Sequence, residues 1–220
     1  MPIRQALLSD IALALGSIKP SLTTADAHSD VFEAYIFSLI LRAAGSEGAM
    51  IAFENIHGDM PTVLVFRTSP GYIFSTAQPY GHAVLSFPGK PPLEAHVGVR
   101  VAGRSRVLHE CDVAVLYRSE ADLCRANSVS PRCSKVVLAV ECKFYASDIP
   151  LGLARAFMGL IGDIQAPGRF FVVNTSSQSA ERLLTSHRRG WEHQVTPGSP
   201  VLDRLLGSFR NAFKDFKASR

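Results

Sequence analysis

Three charged residues lie inside apolar segments that have the composition of buried β-strands. Asp112 lies in the segment 108–116, and Glu141 and Lys143 end the apolar run 136–143. Charged side chains are costly to bury unless they pair with one another or bind a metal ion. Their position therefore marks these three residues as candidates for a functional site.

Strand alternation predicts that the three side chains can converge. Glu141 and Lys143 are two residues apart, so both leave the same face of their strand. If the strand that carries Asp112 is its neighbour, all three meet at one end of the sheet. Two carboxylates supply the oxygen ligands that Mg²⁺ prefers, and a nearby lysine can orient or deprotonate a water molecule that attacks a phosphate. The same residues also fit a structural ion pair at a strand edge.

Alternation on the strand that carries Asp112 adds one candidate metal ligand and places the neighbouring cysteine away from the site. Glu110 shares the face of Asp112 and is either an additional ligand or an exposed residue at a strand edge. Cys111 and Val113 are predicted to leave the opposite face together. Cys111, like Cys142 on the second strand, is therefore expected to point away from the acidic side chains.

The surrounding segments predict a central mixed β-sheet flanked by helices, in the α/β or α+β class. Short runs rich in β-branched and aromatic residues, separated by turns that contain proline and glycine, predict strands, and apolar residues at helical spacing predict helices. The predicted strands are 62–67, 72–76, 82–87, 94–101, 106–117, 135–144 and 169–174, and the predicted helices are 1–20, 29–44, 151–164, 177–189 and a basic amphipathic helix from about Val201.

The pattern of Asp112 followed by Glu141-Cys142-Lys143 at the end of an apolar strand resembles the PD-(D/E)xK nuclease superfamily, which has the restriction-endonuclease-like fold. The order of elements expected for 26–176 is similar to the αβββαβ core of that fold. The resemblance implies that Asp112 and Glu141 are the metal ligands and that Lys143 is the catalytic lysine. It also implies a glutamate on the first core helix that supports the metal through water, and Glu33 occupies that place.

Two features depart from the pattern of this superfamily. The residue before Asp112 is Cys111, whereas the motif is named for a proline at that position. The 28 residues between Asp112 and Glu141 are more than a hairpin needs, so 118–134 is expected to be an insertion. The resemblance therefore depends on the motif together with the order of the elements.

Glu33 has a second interpretation. In the sequence Asp30-Val31-Phe32-Glu33, Asp30 can be the N-cap of a helix and Glu33 the reciprocal residue of a capping box. If the helix begins earlier, near Thr24, Glu33 is an interior residue that shares a face with Phe37 and Ile40. Both interpretations are compatible with the sequence.

Composition and charge bound the remaining possibilities. The chain has 220 residues, of which 47% are hydrophobic and 19% charged, which excludes disordered and fibrous classes and predicts a single domain over 1–220. A helical segment over 1–20 precedes the core, and a basic helical part over 177–220 follows it. That part is interpreted as a packed helix with a solvated basic face, a phosphate-tracking element or a membrane-surface helix.

Cysteines, histidines and the N-terminus complete the sequence predictions. The four cysteines contain no C-x-x-C pair, which disfavours structural zinc, although Cys124 and Cys133 could form a disulfide. His96 and His109 are expected to be packing residues, with a general base as the alternative. No apolar run reaches the roughly 20 residues that cross a bilayer. Because 1–20 is predicted to be an amphipathic helix rather than a signal peptide, a cytoplasmic location is expected.

Together these features predict a Mg²⁺-dependent nuclease, with Mn²⁺ able to replace Mg²⁺, that acts as a DNA endonuclease in phage defence, DNA repair or a mobile element. A double-strand cut needs two such sites, so a homodimer or a partner subunit is expected, with nucleic acid but no membrane as partner. One alternative is a catalytically inactive module of the same fold that binds nucleic acid or assembles with proteins. Another is an α/β enzyme with Cys111 or Cys142 as nucleophile.

Overall fold

Within residues 2–187 and 190–219, the part of the chain that this computed structural model describes, a seven-stranded mixed β-sheet lies between two layers of helices. The helices are α1 (Ile3–Leu15), α2 (His28–Ser46), α3 (Arg118–Asn127), α4 (Leu151–Asp163), α5 (Gln178–Ser186) and α6 (Val201–Ala218), with a 3₁₀ helix at Cys133–Lys135. The strands are β1 (Lys19–Pro20), β2 (Met50–Asn55), β3 (Val63–Leu64), β4 (Gly81–Ser86), β5 (Leu93–Ala102), β6 (Leu108–Tyr117), β7 (Val136–Lys143), β8 (Gly168–Val173) and β9 (Gly190–Glu192). The predicted α/β class, a mixed sheet flanked by helices, is confirmed.

The strand order of the large sheet is β2-β4-β5-β6-β7-β8-β9. Neighbouring strands from β2 to β7 are antiparallel, whereas β7, β8 and β9 are parallel. The helix α4 supplies the crossover that a parallel connection between β7 and β8 requires. The short strands β1 and β3 form a separate parallel pair.

The two faces of the sheet carry separate apolar cores. On one face, side chains of α1, α2 and α6 pack on the strands, with Phe32, Phe37 and Phe209 among the largest buried residues. On the other face, α3 covers the middle of the sheet, and α4 and α5 cover β8 and β9. Residues of β8 alternate between the two, since Val172 packs on the first face and Phe171 on the second.

Some element predictions were wrong. The segment 72–76 contains a turn, in which the backbone N–H of Ser75 donates to the carbonyl oxygen of Tyr72. The contact with β5 is a single β-bridge between the preceding Gly71 and Val99. Of 62–67, only Val63–Leu64 is a strand, and β1, β2 and β9 were not predicted. The helix predicted over 1–20 is observed over Ile3–Leu15, and β1 lies at the end of that predicted segment. The expected insertion 118–134 contains α3, whose apolar face is limited to a few buried residues such as Ala121 and Cys124.

The last two helices, α5 and α6, were predicted well. The helix predicted over 177–189 is observed as α5 with the Ser177 hydroxyl as its cap, and the last two residues of that prediction lie outside the described residues. In α6, Leu205, Phe209 and Phe213 are buried, as the amphipathic pattern predicted. None of the helices in the described residues is long and apolar enough to cross a membrane.

Basic side chains of α6 are used in ion pairs within the molecule. Arg210 and Lys217 contact the Glu47 carboxylate at 2.9 and 3.0 Å, and Arg204 pairs with Glu192 at 2.7 Å. These pairs hold α6 against the end of α2 and against β9. The helix therefore fits the packed-helix interpretation best.

Side-chain alternation breaks at the middle of β5 and β6. Val97 packs in the core under α2, whereas Val99, two residues later, packs in the core on the other face. Val113 and Cys111 show the same change, so the prediction that these two leave the same face is wrong. Between Val97 and Val99 lies Gly98, whose φ of 63° is in the left-handed region that favours glycine.

Replacing Gly98 with alanine is expected to lower the free energy of unfolding by about 1–2 kcal/mol, because an L-residue is strained at this φ. The added Cβ would also lie 3.1 Å from the Cβ of Arg67 and 3.4 Å from the carbonyl oxygen of Ser69. Urea denaturation measures the change. Gly207→Ala is the matched control: this glycine is inside α6, no described atom lies within 4 Å of its added Cβ, and the substitution should stabilise the helix by up to about 1 kcal/mol. Equal effects of the two substitutions would contradict the argument.

Candidate active site

The strands β6 and β7 separate at the position of the predicted acidic residues. Their ladder pairs Ala114 with Ala139 and Val113 with Val140, and the paired part ends there. Asp112 is the next residue on β6, and its Oδ2 accepts a hydrogen bond from the backbone N–H of Cys142 at 2.6 Å. The carboxylate therefore takes the place of a ladder partner at the point where the two strands diverge.

Lys143 joins the two predicted carboxylates. Its Nζ lies 3.1 Å from Asp112 Oδ2 and 2.8 Å from Glu141 Oε1. The side chain of Asp112 is only 4% exposed, whereas those of Glu141 and Lys143 are 21% and 25% exposed. Burial opposes the charge of Lys143, but the negative charges of Asp112 and Glu141 outweigh burial and raise the pKa of this ammonium. The structure thus brings together all three residues that the strand pattern singled out.

Glu33 is an interior residue of its helix and not a capping residue. The helix α2 begins at His28, and the preceding Ala27 offers no side-chain cap. The capping-box interpretation of Asp30 and Glu33 is therefore wrong. The helix does begin before Asp30, as the second interpretation requires, but at His28 and not near Thr24. The hydroxyl of Ser29, at 3.2 Å, is the contact of the Asp30 carboxylate instead.

Aromatic packing holds the start of α2 over the end of β7. The ring of Phe144, which directly follows Lys143, stacks on His28 with ring centroids 5.0 Å apart and meets the edge of Phe32 at 5.6 Å. Glu33 follows Phe32, so this contact places its carboxyl beside the acidic group on the strands. Burial, and then the charge of Asp112, raise the pKa of Glu33 to about 9.

The cluster contains more carboxyl groups than cations. Burial and the neighbouring Asp112 raise the pKa of Glu141 to about 7 and also raise that of Glu110. Burial raises the pKa of Asp112 itself, although Lys143 acts in the opposite direction. The four carboxyl groups outnumber the cations that lower their pKa values, which are Lys143 and, for Glu110, also Arg100. A hard divalent cation such as Mg²⁺ or Mn²⁺ would supply the missing positive charge and stabilise these oxygen ligands in their ionised form.

Substitution of Glu33 by glutamine is expected to stabilise the metal-free protein at pH 7 by about 1–2 kcal/mol, because glutamine removes a carboxyl whose charged form is disfavoured by burial. A carboxyl whose pKa is higher in the folded than in the unfolded state destabilises the folded protein only when the pH is above the unfolded-state pKa. The gain should therefore disappear below about pH 4, where the carboxyl is protonated in both states. Urea denaturation in EDTA at both pH values measures this. Glu181→Gln, on the exposed face of α5, should show no gain, and a destabilised Glu33→Gln would contradict the prediction.

The two histidines nearest the site in sequence have partners elsewhere. His96 is buried and its Nε2 lies 2.9 Å from Glu94 Oε2. His109 Nε2 lies 2.7 Å from Asp163 Oδ2, which ties the strand β6 to the end of α4. Neither contact involves the acidic cluster, as the packing interpretation predicted. Neither His96 nor His109 is therefore placed to act as a general base at this site.

The cysteines are buried and unpaired. All four are free within the described part of the chain, so the suggested disulfide between Cys124 and Cys133 is wrong. Burial raises the pKa of the Cys111 and Cys142 thiols, which disfavours the thiolate that a nucleophile requires. These thiols pack in the two cores on opposite faces of the sheet. A cysteine nucleophile is thus opposed by the structure.

A second group of candidate ligands was missed by the sequence analysis. His82, Glu94 and His96 are all buried, and one ligand atom from each lies within 4.8 Å of the others, so the group could hold a metal ion. Glu94 and His96 are two residues apart on β5, which the sequence does show. His82 is on β4, and only the pairing of Ala83 with Ala95 places it opposite His96.

Comparisons with known proteins return no match for this chain: no family model matches, and neither does any curated protein or solved structure. The resemblance to PD-(D/E)xK nucleases therefore remains a prediction from the sequence motif. The geometry of the acidic cluster, and of the buried histidine cluster, is the basis for the functional conclusions that follow.

Proposed function

We propose that this protein is a Mg²⁺-dependent nuclease that hydrolyses phosphodiester bonds in DNA, with Mn²⁺ able to replace Mg²⁺. The observation that carries the proposal is the convergence of Asp112, Glu141, Lys143 and Glu33 where β6 and β7 separate. A purely structural ion pair needs one carboxylate and one cation. The excess of carboxyl groups, of which Asp112 is buried and the others are partly buried, has no structural benefit, and it supports a site built for a cation.

Each side chain has a distinct task in this proposal. Asp112 and Glu141 would hold the ion, and Glu33, on the opposing helix, would support it through water. When bound, a divalent ion supplies positive charge that stabilises the developing charge on the phosphate and favours ionisation of a water molecule. Lys143 remains protonated because of its two carboxylate neighbours. Its proposed task is therefore to orient the attacking water and to stabilise the phosphate, and not to accept a proton.

The surroundings of the cluster support an anionic substrate. Arg100 pairs with Glu110 in the register of β5 and β6 and so lies beside the acidic group. Its guanidinium packs over the ring of Tyr72, with 5.1 Å to the ring centroid, and Tyr72 stacks on Phe74. A cation beside a pair of aromatic rings can contact a phosphate and an adjacent base. Because a double-strand cut needs two sites, we include a homodimer or a partner subunit in the proposal.

Cleavage of supercoiled and linear DNA by the purified protein tests the proposal, with Mg²⁺ or Mn²⁺ against EDTA and with single-stranded DNA and RNA in parallel. The expected result is nicked or linear DNA that appears only with the metal ions. A folded protein that cleaves none of these substrates and gains no thermal stability from either ion would contradict it. In that case, nucleic-acid binding that is unchanged in Lys143→Ala would favour the inactive module.

A further inference from the structure

The buried histidine cluster joins two strands beneath α3. His82 Nε2 lies 3.5 Å from Glu94 Oε1, and His96 Nε2 lies 2.9 Å from Glu94 Oε2. The two imidazole rings are nearly parallel, with centroids 4.9 Å apart. Both nitrogens therefore point at the same carboxylate from neighbouring strands.

His82 has an unsatisfied nitrogen in this cluster. The residue is only 3% exposed, and its buried Nε2 makes no hydrogen bond with any described residue. The nearest carboxylate oxygens, on Glu94 and Glu54, lie at 3.5 and 3.8 Å. Buried polar nitrogens nearly always have a partner, so one that faces two carboxylates without bonding to either points to a ligand.

We propose that His82, Glu94 and His96 bind one Zn²⁺ ion, with the Glu54 carboxylate or a water molecule as the fourth ligand. Two imidazole nitrogens and a carboxylate are typical zinc ligands, whereas Mg²⁺ prefers oxygen. Tetrahedral zinc with bonds of about 2.0–2.1 Å keeps its ligand atoms about 3.3 Å apart. The separations of 2.9 Å to Glu94 Oε2 and 3.5 Å to Glu94 Oε1 lie on either side of that value. With one ligand atom taken from each residue, the three atoms all lie within 4.8 Å of one another.

Arginines of α3 orient the carboxylates of this site. Arg125 donates to both oxygens of Glu94 at 2.8 and 2.7 Å, and Arg118 donates to both oxygens of Glu54 at 3.1 and 2.8 Å. Each carboxylate oxygen has two lone-pair positions, so these bonds leave one on each oxygen for the metal. Hydrogen bonds of this kind fix ligand orientation in metal sites.

The proposed zinc site is reached through a cavity and lies apart from the acidic cluster. A cavity of about 170 Å³ is lined by Glu54, His57, His82 and the two arginines of α3, and it leads to His82. Glu94 lies four residues along β5 from Gly98, which the register places opposite Asp112, a distance of about 13 Å. The zinc site is thus separate from the proposed nuclease centre and does not depend on it. Its expected role is to tie β2, β4 and β5 together.

Zinc binding by the whole purified chain tests this inference. The Asp112→Asn background removes competition from the acidic cluster, and isothermal titration with Zn²⁺ after EDTA treatment gives the stoichiometry. We expect one equivalent per chain and a higher melting temperature with Zn²⁺. His82→Gln and His96→Gln should each lower the affinity at least about 10-fold, and His109→Gln, a histidine of the same sheet outside the cluster, should leave it unchanged.

A second measurement covers the case in which the histidine variants fail to fold. X-ray absorption of the zinc-loaded Asp112→Asn chain should show scattering from two imidazole groups. A folded chain that binds no Zn²⁺, or whose zinc has only oxygen ligands, would overturn the inference. So would unchanged affinity in His82→Gln, and the cluster would then be a hydrogen-bonded network alone.

Discussion

Replacing Lys143 with alanine is expected to reduce metal-dependent DNA cleavage at least about 100-fold. The ammonium contacts both Asp112 and Glu141, so it lies where an ion and an attacking water molecule would meet. Its charge is maintained by those neighbours, and alanine would remove both the hydrogen-bond donor and the positive charge. Single-turnover cleavage of supercoiled DNA, with the metal ion in excess, measures the loss.

Two controls separate this effect from loss of structure. Lys135→Ala removes an exposed lysine at the opposite end of β7, where its ammonium lies 5.9 Å from the ring centroid of Tyr117, and cleavage should be unchanged. Lys143→Ala itself should melt at a lower temperature in EDTA, since two carboxylates lose their cation, and should recover stability when Mg²⁺ is added. Cleavage by Lys143→Ala at the wild-type rate would contradict the assigned role.

Asp112→Asn is expected to abolish both cleavage and the thermal stabilisation by Mg²⁺. Asp112 is the most buried carboxylate of the cluster and is positioned by the backbone N–H of Cys142. The amide oxygen of asparagine can keep that hydrogen bond but cannot supply the negative charge that a divalent ion requires. We expect cleavage to fall by about 100-fold or more, which corresponds to about 2.7 kcal/mol of transition-state stabilisation.

The same substitution should leave the metal-free protein at least as stable as the wild type. Burial raises the pKa of Asp112, which means that the folded state disfavours its charged form. A neutral side chain of the same shape removes that cost. Melting curves in EDTA and in Mg²⁺ give the stability of the metal-free protein and the rise in melting temperature caused by Mg²⁺. Asp215→Asn, on the exposed face of α6, is the control and should keep that rise in melting temperature. A full Mg²⁺ shift in Asp112→Asn would contradict the metal-ligand role.

Much of this site could be predicted because burying charge is costly. Asp112, Glu141 and Lys143 stood out because they interrupt apolar strands, and the two-residue spacing of the latter pair defined a shared face. Glu33 could be assigned only once the helix start was known. No residue at the start of α2 caps it, so the sequence offered Asp30 as a false N-cap.

Other features depend on contacts that are distant in sequence. The pairing of β4 with β5 brings His82 to His96, and nothing in either segment alone indicates that pairing. The change of side-chain direction at Gly98 coincides with a positive φ, which glycine permits but does not require. The strand β2 was missed because its residues are only partly buried, and so its apolar pattern is weak.

Anomalous diffraction from crystals soaked in MnCl₂ tests the central claim most directly. Mn²⁺ has oxygen preferences similar to those of Mg²⁺ and can be located by its anomalous signal. We expect a peak in contact with carboxylate oxygens of Asp112 and Glu141, beside Lys143, and no such peak in crystals of Asp112→Asn. No peak at this position in the wild type, or one confined to His82, Glu94 and His96, would contradict the proposed nuclease centre.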